Sequence, residues 1–157
     1  MSQGSSYWDW AVQVHGRPGV DAALTGLQDA HRQCVAYLLW AAWAAAEGRP
    51  LDPAILAAGA ALAAQWEAAA TGPLRQARRA LKPALPPIDD GAREALREQV
   101  RKAEFAAERL LMETLEALAP APDGPSPDIA AALLDASAAW RAPAPAEILN
   151  DLGRRLA

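Results

Sequence analysis

The chain has 157 residues, 52% of them hydrophobic and 22% charged, with a formal net charge of −4. That length suits one domain burying most of its unfolded surface, and the composition lies far from that of disordered chains. The acidic balance argues against non-specific nucleic-acid binding, which needs accumulated Lys and Arg, and the single cysteine excludes an intrachain disulfide.

Almost every segment between Pro or Gly marks reads as helix, and Ile and Val are too sparse for a sheet. The first helix starts after Ser6, with Asp9 in a capping-box-like position, and ends near His15 before Gly16-Arg17-Pro18-Gly19. Met1 to Trp10 lacks a basic stretch followed by an apolar one, so the expected compartment is cytoplasmic. A second helix is expected from Pro18 to Ala30 with Val20, Leu24 and Leu27 as its stripe.

The run from Cys34 to Ala46 carries no charge and includes Tyr37, Leu38, Leu39, Trp40 and Trp43. A helix apolar on every side must be surrounded, and at about 1.5 Å per residue this one is too short for a bilayer, so it belongs at the centre of a bundle. Asp52 then caps a helix from Pro53 to Ala70, stopping at Thr71-Gly72, and Pro73 starts or kinks a further helix through Lys82. Pro83, Pro86 and Pro87 exclude helix.

A long amphipathic helix follows from Asp89-Asp90 to Ala119, its stripe formed by Leu96, Val100, Ala103, Ala107, Leu111, Leu115 and Leu118. This heptad-like run suits either a homo-oligomer seam or the protein's own core. Ser126 is expected to cap a helix from Pro127 to Trp140, and Pro145 opens a last one bearing Ile148, Leu149, Leu152 and Leu156. The expected fold is a single all-α domain over 1–157, a compact bundle of about seven to eight helices around one buried apolar helix. Its parts are a core at 6–119, a Pro-rich connector at 120–127 and a C-terminal helical hairpin at 128–157. The apolar helix is expected inside the first, second, fourth and sixth, with the last two packed as that hairpin.

Ordinary catalytic signatures are absent: there is no Gly-x-Ser-x-Gly elbow, phosphate-cradling glycine loop, paired Cys-x-x-Cys or His-Glu-x-x-His. His31 and Cys34 are three apart, but two ligands do not make a metal site. No catalytic residue, metal or cofactor is assigned, and the reading leans away from an enzyme.

Two groups remain. Gln28, Asp29, His31, Arg32 and Gln33 form a polar knot just before the apolar helix, where a buried Asp29 would need backbone amides or an arginine from the fifth helix. Arg75, Arg79 and Lys82 follow i, i+4, i+7 spacing with Arg78 beside them, a basic stripe needing a counter-charge from a partner or from the chain's own Glu94, Glu98, Glu104, Glu108, Glu113 and Glu116. The six tryptophans add apolar surface, with Trp40, Trp43 and Trp66 as candidate linings of a ligand pocket.

The segments Tyr7-Trp8-x-Trp10-Ala11, Arg17-Pro18-Gly19-Val20, Leu27-Gln28-Asp29 and Pro73-Leu74-Arg75-x-x-Arg78-Arg79 make residues 7 to 110 resemble a family of small, all-helical bacterial proteins of unknown function, found chiefly in proteobacteria. The resemblance implies no activity. It does imply that the polar knot and the arginine stripe belong to one motif set.

The leading functional expectation is a non-enzymatic interaction or adaptor protein presenting Arg75, Arg78, Arg79 and Lys82 to an acidic protein partner, with no nucleic acid and no membrane. The alternative is a helical module or enzyme taking a small anionic, phosphorylated or apolar ligand. It would use the same arginines with Gln28, Asp29, His31, Trp40, Trp43 and Trp66. An adaptor needs the arginines on a convex surface, whereas a ligand site needs them converging with the polar knot on a concavity.

Overall fold

The computed structural model describes residues 4–157; the first residues of the expected domain, and of the segment from Met1 read for a leader, lie outside the described residues. Among the described residues the chain is all-α, without strands. Helix α1 (Tyr7–His15) begins where the Ser6 hydroxyl accepts the Asp9 N–H. Helix α2 (Val20–His31) follows, and Arg32 closes it in left-handed backbone at φ 52°.

Helix α3 (Val35–Ala46) has no polar face, and every residue from Ala36 to Ala45 is buried. Tyr37 and Trp40 are fully buried in the core cluster, Tyr37 donating to Leu56 O at 3.0 Å. The expected shell of α3 is incomplete. Helix α7 (Ile129–Ala139), set apart in the sequence reading as half of a terminal hairpin, is the most extensive neighbour of α3, and its Leu133 and Ala136 join the same core cluster. Asp128 rather than Ser126 caps α7; the Ser126 hydroxyl donates to Ala46 O at 3.0 Å instead. Helix α8 (Ala146–Leu156) packs on α7.

Helix α4 (Pro53–Trp66) is capped by Asp52, whose carboxylate accepts the Ile55 N–H at 2.8 Å. It does not end at Thr71-Gly72 as its composition suggests. A π turn (Glu67–Thr71) carries it without interruption into α5 (Gly72–Ala80). Pro73 cannot donate and would crowd the carbonyl four residues back in a regular helix; the wider turn accommodates it, with the Gly72 N–H reaching Glu67 O. Only glycine fits there, since a Cβ on Gly72 would stand 2.6 Å from that oxygen.

Helix α6 (Asp90–Leu118), capped by Asp89, lies against α5 and against the core. Its apolar stripe is shorter than the spacing implies. Ala107, Leu111, Met112 and Leu115 are buried, while Leu96 is exposed where the N-terminal half of α6 runs alongside α5, and Leu118 is exposed at the C-terminal end of the helix. The α5–α6 turn is fixed by buried Arg93, which donates to Leu81 O and Lys82 O and pairs with Asp90 and Glu94. No helix among the described residues is long and apolar enough to cross a membrane.

Candidate functional site

The polar knot and part of the basic stripe meet on one concavity of about 830 Å³. The C-terminal turn of α2 supplies Gln28, Asp29 and the helix-closing Arg32. Helix α5 supplies Arg75 and Arg79, the π turn supplies Glu67, and the segment after α7 supplies Trp140, Arg141 and Ala142. Four guanidinium groups therefore face two carboxylates around one cleft.

The stripe does not act as one surface. Arg79 Nη2 lies 2.9 Å from Asp29 Oδ1, bridging the two motifs, and both side chains are about half exposed. Arg75 is 18% exposed and lies between Glu67 at 3.7 Å and Glu104 at 3.4 Å. Arg78 turns away from the cleft and hydrogen-bonds Glu104, which holds the guanidinium above its ordinary pKa. Lys82 falls beyond the end of α5; it is exposed, lies outside the cleft, and has no ion pair among the described residues.

Glu67 ties the cleft walls together, reaching Arg141 at 3.5 Å as well as Arg75. The π turn sets this arrangement, because the widened register places Glu67 between α5 and the segment after α7. Arg32 has no ion pair among the described residues and keeps its guanidinium free on the cleft. Its unusual backbone is held from two sides: its N–H donates to Leu27 O, and its carbonyl accepts the Trp140 indole N–H at 2.9 Å.

Of the other expected pocket residues, Trp40 and Trp43 are fully buried in the core and line no part of the cleft. Their apolar volume is absorbed by packing around α3. Trp66 is half-buried and donates to Ala107 O at 2.8 Å, fastening α4 to α6. His31 also stands off the cleft; its carbonyl accepts from Gln33 Nε2 at 3.2 Å. His31 and Cys34 lie on either side of the break between α2 and α3. Among the described residues no group of three or more His, Cys, Asp or Glu could hold a metal ion.

Two residues that sequence reasoning did not assign, Trp140 and Arg141, build the site together with Gln33 of the polar knot. Trp140 and Arg141 form its far wall, with the Arg141 guanidinium 5.2 Å above the Trp140 ring. Buried Gln33 positions that wall by donating to Ala142 O and accepting from the Ser137 hydroxyl at 3.3 Å. Only the polarity of Gln33 beside an apolar run hinted at its role.

These features define an all-α protein with an arginine-rich cleft between its second, fifth and seventh helices. The chain belongs to the family described as protein of unknown function DUF2390, whose model matches residues 6–115. The far wall of the cleft lies outside the matched segment. No curated protein and no solved structure matches the chain.

Proposed function

We propose that the chain is a binding module for a small anionic molecule carrying phosphate or clustered carboxylates, held in the cleft by Arg32, Arg75, Arg79 and Arg141. The observation that carries this reading is the convergence of Arg75 and Arg79 from the basic stripe with Gln28, Asp29 and Arg32 from the polar knot on a concavity of about 830 Å³. That is the geometry expected of a ligand site rather than of a convex adaptor surface, and the volume falls in the range of small-molecule pockets. Guanidinium forks match phosphate and carboxylate oxygens in pairs.

Glu104 and Glu67 orient Arg75 in advance, so less side-chain freedom is lost on binding. The exposed pair of Arg79 with Asp29 is weak enough for an incoming anion to displace. Asp29 and Gln28 would then accept from hydroxyl or amino groups on the ligand. Calorimetric titration with inorganic pyrophosphate at fixed ionic strength tests the reading. Saturable binding that weakens about tenfold in Arg79→Ala and in Arg32→Ala supports it; equal heats in wild type and both variants would overturn it.

A further inference from the structure

A second cleft, of about 440 Å³, opens between α1, α2, α3 and α6, separated from the arginine cleft by Gln28, which touches both. Its walls are apolar: Leu24, Leu39 and Met112 form the floor, and Trp8 and Phe105 the rim. The two rim rings meet edge to face at 5.3 Å, and Phe105 and Val12 stay 51% and 57% exposed although each borders the cavity. One charged group breaks this surface. Glu108 lines the cleft with no hydrogen bond and no ion pair among the described residues, unlike Glu104 one turn earlier.

Every other charge at the cleft is already engaged or belongs to a pair. His15 lies 3.8 Å from Asp21, and Arg109, stacked 4.7 Å over Trp8, bonds Glu113 at 3.0 Å. Arg75, on the far side of Glu108, is taken by Glu67 and Glu104. A carboxyl desolvated among apolar side chains calls for a partner that no described residue supplies, and burial holds it above the ordinary carboxylate range.

We propose that this cleft binds a compact organic ammonium ion, its apolar body between Trp8, Phe105 and Met112 and its cationic nitrogen paired with Glu108. Charge complementarity selects the class: a carboxylate ligand would meet Glu108 and Asp21, and a neutral apolar one would leave Glu108 unpaired. The site is separate from the arginine cleft and does not depend on the anion reading.

The test is calorimetric titration of the full chain with three isosteres: 2-phenylethylammonium, 2-phenylethanol and 3-phenylpropanoate. The ammonium should bind about tenfold more tightly than the alcohol, and the carboxylate most weakly. Glu108→Gln should weaken the ammonium about tenfold and leave the alcohol within about twofold. Equal affinity for ammonium and carboxylate, or an ammonium affinity unmoved by Glu108→Gln, would overturn the proposal. Val12→Trp fills the exposed mouth without touching the core and should abolish binding of all three; ammonium binding retained in that folded variant would place the amine elsewhere and overturn it too.

Discussion

Arg79 and Asp29, fifty residues apart in sequence, meet with Nη2 2.9 Å from Oδ1. This contact joins the polar end of α2 to the basic face of α5 and turns two separate sequence motifs into opposite walls of one cleft. Because both side chains are about half exposed, the pair contributes little to stability and much to position.

Asp29→Asn should therefore lower stability by less than about 1 kcal/mol, the range for exposed ion pairs. The same change removes a negative charge that competes with an incoming anion. Pyrophosphate affinity should rise by about fivefold, the equivalent of about 1 kcal/mol of relieved repulsion at a solvated site. Chemical denaturation and calorimetry on one variant read both effects.

Packing between α3 and α4 is as tight as the sequence allows. A Cβ on Gly59 would stand 2.6 Å from Cζ3 and 2.9 Å from Cη2 of Trp40, a fully buried indole that cannot swing away. Gly59→Ala should cost about 1–3 kcal/mol despite its better helix propensity, since overpacking outweighs the backbone gain. Trp40→Ala should cost about 3–5 kcal/mol through the cavity it leaves. Denaturation midpoints check both values.

Burial pushes the Cys34 thiol up to about 12, opposed by a hydrogen bond from the Tyr37 backbone. The native thiol should stay protonated at pH 8 and react with a disulfide reagent far more slowly than in denaturant. Folding disfavours thiolate, so stability should fall as pH rises above about 9, the ordinary thiol range. A fast native reaction with a midpoint near pH 8 would contradict the burial.

Glu108 carries a testable pH signature of its own. Its carboxyl is raised first by desolvation and further by Glu104, while Arg75 and His15 pull it down. Between the unfolded and folded pKa the native chain binds more protons than the unfolded one, so stability falls as pH rises through that window. Glu108→Gln should raise the denaturation midpoint at pH 7.5 and leave it nearly unchanged at about pH 3, below the ordinary Glu range, where the carboxyl is protonated in both the folded and the unfolded chain.

Local chemistry made most of the helices legible. The Ser6, Asp52 and Asp89 caps stand where side-chain oxygen, spacing and following residues placed them, and the uncharged run around Trp40 could only be a surrounded helix. What failed was reading Thr71-Gly72-Pro73 as a stop. A π turn lets the chain pass a glycine and a proline without breaking, with Trp66 just before it bonded to Ala107 and Thr71 at its end buried, contacts that helix propensity does not reveal. The stripe was legible only as alternatives: Glu104 and Asp29 were among the counter-charges the sequence offered, but helical spacing does not say that Glu104 takes Arg78 while Asp29 takes Arg79. The wall from Trp140 to Ala142 was invisible because its position depends on Gln33 and Ser137, more than a hundred residues apart and joined only in the fold.

The account rests on the arginine cleft taking an anion, and the Trp140 indole is its best reporter. That N–H donates to the carbonyl of Arg32 at the cleft, whereas the Trp43 N–H donates to Ser5 O, and neither of those two residues lines the cleft. In a proton–nitrogen correlation spectrum titrated with pyrophosphate, the Trp140 indole resonance should shift saturably while that of Trp43 stays fixed. A Trp140 resonance that does not move, or indole resonances that all drift together without saturation, would contradict the claim.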